Sequence, residues 1–266
     1  MSAVSRSGDI LVDIVPALND NYMYLISDVA NKVGAVVDPV EPEKIIEQAK
    51  LRGVVVSAIL TTHNHWDHAG GNNKMLDLCK TCTVVYGGVG DGVEACTNEV
   101  QQGDLIQVGS ANVQVLSTPC HTPGHVSYFI DGASGLEKPV VFTGDTMFIG
   151  GCGNFNSGTP DQMYHAMCKV LAKLPPETLV YCGHEYTKRN LQFASYAEPN
   201  NLKIREKLEW AGQTACTVPS TIQSEWETNP FVRVHEEIIQ IFTGETDPVA
   251  VMKAVRKMKD EWGKTH

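Results

Sequence analysis

No stretch of this chain approaches the roughly 18 consecutive apolar residues that a membrane-spanning helix needs, so no transmembrane segment is expected. Positive charge is also scarce. Lys and Arg number 21 against 31 Asp and Glu, giving a formal net charge of -10 with no basic tract. Binding phosphates normally needs a basic footprint, which counts against a nucleic-acid partner. The start, MSAVSRSGDI, lacks the apolar core of a secretory signal and carries an acid at Asp9, so a cytoplasmic address is expected, with a mitochondrial form requiring another start site. Eight cysteines in a chain of 266 residues without an export signal are expected as free thiols. The one close pair, Cys79 and Cys82 in CKTC, lacks the second CxxC or HxxxH that would complete a zinc knuckle. Repeats and low-complexity tracts are absent too.

What is present reads as a mixed α/β chain. ILVDIV, YMYLIS and KVGAVVD are strand-like and separated by turn-prone ALNDN and DVAN. EPEKIIEQAKLRG then predicts a helix, with Pro42 in its first turn, Ile45, Ile46 and Ala49 at helical spacing, and Gly53 where a cap belongs. VVVSAIL follows as a buried strand. Further strands are expected at NVQVLST, VSYFI, PVVFTGD and ETLVYCGH, with an amphipathic helix over TPDQMYHAMCKVLAKL. Beyond about residue 187 the pattern turns helical. A catalytic domain over residues 1-186 and a mainly helical, substrate-binding domain over 187-266 are therefore expected.

Directly after VVVSAIL comes TTHNHWDHAG, which crowds His63, His65, Asp67 and His68 into six positions. In a strand this spacing would alternate faces, but in a loop at a strand end all four side chains can turn inward. His125 in CHTPGH, Asp145 in VVFTGD and His184 in LVYCGH also sit near strand ends. Singly, these would be a loop histidine, a turn former and a core histidine. Together, seven metal-capable groups exceed the needs of one tetrahedral ion and fit two adjacent divalent metals with a bridging carboxylate. The bridge is Asp67 or Asp145, with Asp145 favoured because Asp67 is squeezed between two histidines. His121, four residues before His125, could brace a ligand or simply hold the turn.

These motifs, with VDPVEP, STPCHTPGH, VFTGDTMFIGGCG, YCGHEYTKRNL and GETDPVAVMKAVRKMKD, resemble the hydroxyacylglutathione hydrolase (glyoxalase II) family of the metallo-β-lactamase superfamily over nearly the whole chain. The resemblance implies a four-layer αββα sandwich with a C-terminal helical domain. It implies His63, His65 and His125 at one metal, Asp67, His68 and His184 at the other, and Asp145 between them, the metals being zinc, with iron or manganese also suited to such ligands. It implies hydrolysis of S-D-lactoylglutathione and related S-(2-hydroxyacyl)glutathiones to D-lactate and glutathione, the second step of methylglyoxal detoxification; a monomer is expected, although the sequence itself does not set the oligomeric state. The substrate-binding set it implies is Asn154, Phe155 and Asn156, then His184, Glu185 and Tyr186, then Arg256, Lys257, Met258 and Lys259. Relatives typically read GCGKF and then an aromatic residue where this chain reads GCGNFN, so Asn154 and Asn156 depart from the pattern.

Water held between two such metals is acidic enough to supply hydroxide near neutral pH, so the nucleophile is not expected to be a side chain. Asp67 could orient that water and take its proton. A thiolate leaving group with a pKa of about 8.5 needs no general acid. Nuclease, persulfide dioxygenase and non-catalytic metal-binding readings share the HxHxDH core. The acidic balance disfavours the first, the complete second ligand set the second, and the open site the third.

Overall fold

A computed structural model describes residues 10–265. Residues 1–9, on which the reading of the start rests, lie outside the described residues. The first sheet runs in chain order: β1 (Ile10–Ala17), β2 (Asn21–Asp28), β3 (Val33–Val37), β4 (Val55–Leu60), β5 (Val84–Gly88) and β6 (Asn98–Val100). The second contains β7 (Leu105–Val108), β8 (Ala111–Ser117), β9 (Val126–Ile130) and β10 (Val140–Gly144). After β10 a small hairpin, β11 (Met147–Phe148) and β12 (Gly151–Cys152), intervenes before β13 (Leu179–Cys182) and β14 (Ser220–Thr221) complete that sheet in the order β14-β13-β10-β9-β8-β7.

Every strand expected from the sequence forms. Strands β5, β6, β7 and β14 and the hairpin are additional. Helix α1 (Pro42–Arg52) starts on proline and ends at Gly53 in the left-handed region, as its sequence predicts, burying Ile45 and Ala49. Complete burial of a side chain like Ile45 contributes about 1.5–3 kcal/mol. The helix expected over TPDQMYHAMCKVLAKL is present but not uniform: α4 (Pro160–Tyr164), opened by a Thr159 capping box, widens into a π-helical stretch and closes in a 3-10 turn.

Three apolar clusters define the layers. Tyr24, Leu60, Val113, Tyr128 and Phe142 fill the space between the two sheets. Leu25, Val36, Ile45 and Met75 join the outer face of the first sheet to α1 and α3 (Asn72–Leu78), which follows the short α2 (Trp66–Ala69). Val141, Val180, Met163, Phe193, Phe231 and Val255 join the outer face of the second sheet to the remaining helices. Those are α4, α5 (Thr187–Ala197), α7 (Ile222–Thr228), α8 (Glu237–Thr243) and α9 (Pro248–Trp262), with α6 (Leu202–Gln213) packed on α5 and α7. The result is the αββα sandwich with a helical C-terminal part.

At one end of the sandwich a single isolated bridge joins the two sheets, between Asn21 at the start of β2 and His184 just after β13. Loops leaving β4, β8, β10 and β13 collect there, as strand-end chemistry requires.

Candidate metal centre

His63 and His65 leave β4, and α2 carries Asp67 and His68 one helical turn on. Asp145 follows β10 at Gly144, whose φ of 47° and close approach to Thr62 and His125 leave no room for a Cβ. His184 follows β13. The fourth loop, between β8 and β9, corrects an expectation. His121, rather than His125, turns into the cluster, with Nε2 3.1 Å from His65 Nδ1 and 3.4 Å from Asp145 Oδ2. His125 sits at the base of β9, its Nδ1 shared between the Thr118 and Thr146 hydroxyls and its Nε2 accepting the Asp145 backbone N–H at 3.2 Å. With both ring nitrogens occupied, it supports the carboxylate's loop instead of facing the cluster.

Two groups of donor atoms result: His63, His65, His121 and Asp145, and Asp67, His68 and His184. Asp145 lies between them, its Oδ1 3.4 Å from His68 Nε2 and its Oδ2 3.4 Å from both His121 and His184 Nε2. Imidazole nitrogens also face one another, at 3.0 Å between His63 and His65 and 3.2 Å between His68 and His184. Asp145 Oδ1 is buried without any hydrogen-bond partner. A Cβ on Gly183 would stand 2.4 Å from that same oxygen, so the space beside it is kept open. Converging lone pairs and an orphaned buried carboxylate oxygen are costly unless a cation satisfies them, and mixed imidazole and carboxylate donors suit a divalent metal.

The opposite ring nitrogens are held from behind. His68 Nδ1 donates to Asp38 at 3.0 Å, His184 Nδ1 to Asp20 at 2.8 Å and His121 Nδ1 to the Asn154 carbonyl at 3.0 Å. His63 Nδ1 meets the Thr62 hydroxyl at 3.0 Å, and Thr62 is itself fixed by Asp38. Such outer partners set ring orientation and tautomer. Asp38 adopts a φ of 49°, unusual for a side-chain-bearing residue, and the strain sits where it serves two of these rings. Asn21 does the same for Asp67, donating to Oδ2 at 3.0 Å.

Charge follows burial and neighbours. Burial, reinforced by the surrounding histidines, keeps His63 and His125 well below the ordinary imidazole pKa, and burial lowers His121 against the pull of Asp145. For His184 burial is outweighed by hydrogen bonds to Asp145 and Asp67, and its pKa rises to about 11 in the metal-free protein. Asp67 and Asp145 are lowered, because the His184 and His68 interactions overcome burial.

From this cluster a cleft of about 500 Å³ runs to the C-terminal helices. Of the expected substrate-binding residues, Asn154, His184, Tyr186, Arg256 and Lys259 line it. The Tyr186 ring stacks on His184 at 4.7 Å, and Phe148 meets Tyr186 edge-on. Five others are turned elsewhere. Glu185 is bound by the Tyr22 hydroxyl and Thr217, Phe155 and Met258 pack into the outer core, Asn156 is exposed outside the cleft, and Lys257 reaches Glu261 in solvent. The sequence reading missed Phe148, Arg189, Asn190 and Trp262 in the wall. Arg189 and Asn190 could have been suspected, since they lie one helical turn after Tyr186 in YTKRN.

A metal-dependent hydrolase site on a two-sheet sandwich is the class these features define, and residues 16–184 match the model of the metallo-beta-lactamase superfamily. Residues 185–262 match the model of the hydroxyacylglutathione hydrolase C-terminus. The chain is 51% identical to a cytoplasmic hydroxyacylglutathione hydrolase of Arabidopsis thaliana, covering 93% of this chain and 97% of that protein. It is 37% identical to a hydroxyacylglutathione hydrolase of a Synechococcus strain, over 94% of this chain and 99% of the relative. Among solved structures it resembles ETHE1 from Myxococcus xanthus, with a TM-score of 0.65, 26% identity and coverage of 94% and 98% of the two chains. This chain belongs to the hydroxyacylglutathione hydrolase family.

Proposed function

We propose that the chain hydrolyses S-D-lactoylglutathione and related 2-hydroxyacyl thioesters of glutathione to the hydroxy acid and free thiol. The observation that carries this is one continuous cleft with the His and Asp cluster at one end, Tyr186 stacked beside it, and Arg189, Arg256 and Lys259 at the other. A thioester carbonyl and an anionic tripeptide call for those two ends. The reading gives His63, His65 and His121 to one metal and Asp67, His68 and His184 to a second, with Asp145 shared and zinc the first candidate. Bound there, divalent metals would supply Lewis acidity and lower the pKa of water. The chain's own part is to hold the His63, His68, His121 and His184 rings in one tautomer through Thr62, Asp38, the Asn154 carbonyl and Asp20. Asp67, fixed by Asn21, is placed to orient the attacking water and accept its proton. Tyr186 keeps its phenol proton, because burial raises its pKa to about 12, and so stands as a donor beside the cluster.

Residues 1-186 are proposed as the catalytic domain and 187-266 as the thiol-binding one, acting as a monomer in the cytoplasm. The name of the Arabidopsis relative supports that address, and no helix among the described residues is long and apolar enough to cross a membrane. The test is cleavage of lactoylglutathione by the metal-loaded protein, read as thiol release and as metal content. Cleavage with two metals per chain is the expected result. Full activity with one metal would refute the paired site, and no cleavage would refute the function.

A further inference from the structure

Of the five histidines in the cluster, four have the ring nitrogen that faces away from it held, by Thr62, Asp38, the Asn154 carbonyl and Asp20. His65 is the exception. Its Nδ1 faces His63 and His121 inside the cluster, and among the described residues no hydrogen bond reaches its Nε2. Where that ring points therefore depends on its backbone. The His65 carbonyl opens α2, accepting from His68 N and Ala69 N, so the remaining question is what fixes the chain on its other side, at Asn64.

Asp91 does this. It lies in the loop between β5 and β6 and is 3% exposed, a burial that is costly for a carboxylate unless its oxygens are satisfied. Both are. Oδ2 accepts the Asn64 backbone N–H at 2.8 Å, and Oδ1 accepts the Gly124 backbone N–H at 2.7 Å. The Asn64 side-chain amide adds a third tie, donating to the Asp91 carbonyl at 2.6 Å. Asn64 directly precedes His65, and Gly124 comes three residues after His121, so one carboxylate spans the two loops that bring these rings together. The loops meet backbone to backbone: a Cβ on Gly124 would lie 2.5 Å from the Val89 carbonyl oxygen and 2.7 Å from the Asp91 Cβ. The second donor group is braced without Asp91, since Asn21 holds Asp67, Asp38 holds His68 and Asp20 holds His184.

We propose that Asp91 is a positioning residue for the first donor group, setting the spacing of His65 and His121 so that both reach one metal. The proposal rests on the reading of the cluster as a paired metal site. It is tested by titrating the metal-free parent, Asp91→Asn, Asn64→Ala and Asp28→Asn with cobalt, whose visible absorption follows its ligands, against a competing chelator. Asp91→Asn turns an amide NH2 toward one of the two backbone N–H groups and breaks that bond. It should weaken one ion by about 10–100-fold, the range for loss of an outer partner, and leave the other within about twofold. The absorption of the ion retained should match that of the ion retained by His121→Ala, which cuts the same group. Asn64→Ala deletes an exposed side chain and only the third tie, so it should weaken the same ion about two- to fivefold, and it carries the comparison if Asp91→Asn does not fold. Asp28→Asn is the control for a purely structural cost. Asp28 is fully buried and accepts the Asn31 and Ser110 backbone N–H groups, but at the far end of β2, about 23 Å along the strand from Asn21. That variant should lower the denaturant midpoint and move neither cobalt affinity. Equal weakening of both ions, unchanged affinities, a retained ion unlike that of His121→Ala, or the same selective loss in Asp28→Asn would each overturn the assignment while the paired site stands. A parent protein that takes up a single cobalt ion would bring down both.

Discussion

At the metal end of the cleft, His63, His65, Asp67 and His68 fall within six consecutive positions, whereas the thiol end is assembled from residues scattered between 148 and 264. The physical construction differs as well. Metal-end histidines are nearly all buried, and most have the second ring nitrogen held by a carboxylate, hydroxyl or carbonyl. Thiol-end cations lie in a wall of aromatic rings and amides, partly committed to protein partners and partly open to water. One end must hold charged atoms to tenths of an ångström for chemistry. The other need only retain a flexible anion. Changes at the first should act on metal content and kcat, and changes at the second on KM.

The largest break is expected from Asp145→Ala. Asp145 lies between the two donor groups and is proposed to serve both, so metal content and kcat should fall together, kcat by on the order of a thousandfold or more. Elemental analysis beside turnover measures this directly, and a variant retaining both would show that Asp145 is not shared.

Next in size is the contrast between His121 and His125. His121→Ala deletes a donor atom from the first group, so metal affinity should fall by more than the roughly 10–100-fold that loss of an outer partner costs. His125→Gln should instead cost stability, about 1–3 kcal/mol for the hydroxyls and backbone N–H left poorly paired, with a smaller effect on metal. Denaturant midpoints and metal titrations on the pair separate the two roles. The opposite ranking would restore His125 as the ligand.

How far the sequence reaches follows from the same contrast. The strands that feed the site announce themselves as apolar runs bounded by turn residues, and the HxHxDH cluster is local, so the fold and six of the seven side chains that converge at the cluster can be picked out without coordinates. The seventh cannot. In CHTPGH two histidines compete, and the choice depends on where β9 begins. His125 already belongs to the strand ladder, its carbonyl accepting from Thr118 N, so its side chain is committed before the loop opens. The thiol end is less legible because it depends on how α5 and α9 lie against the β11–β12 hairpin. That docking uses single buried contacts with no sequence period: Asn190 of α5 to the Ile149 carbonyl and Arg256 of α9 to that of Cys152, beside α7, whose Glu225 meets Gly150 N and whose capping Asn229 meets the Phe148 and Gly151 carbonyls.

A smaller effect is expected when that wall is cut. Arg256→Ala frees the Cys152 carbonyl and leaves Asp260 unpaired in the cleft. An uncompensated acid where an anion binds should raise KM by about fivefold while kcat changes less than about twofold, since the contact is alike in ground and transition states. Initial rates over a range of substrate concentrations decide it. A kcat loss equal to the loss in kcat/KM would mean that the thiol end reaches into the chemistry and that the two-ended picture is too simple.

The smallest expected effect is a pH dependence at Lys259. Burial and then Arg256 lower its pKa to about 7, so in the ligand-free protein the ammonium form prevails below that pH and the neutral amine above it. Arg189, Asp260 and the Cys152 thiol also face it, and that thiol, raised by burial to about 11, stays neutral throughout the range. A carboxylate arriving in the cleft favours the ammonium, so substrate binding above pH 7 takes up a proton and KM should rise a few-fold between about pH 6 and 8.5. Stability should move the other way. The unfolded lysine keeps its proton to about pH 10.4, so between the two values the unfolded state binds more protons, and this group makes stability rise with pH. Weaker binding in a protein growing more stable cannot be mistaken for unfolding. Lys259→Met should flatten both trends, and a KM in the parent protein that stays constant over this range would show that the Lys259 charge takes no part in recognition.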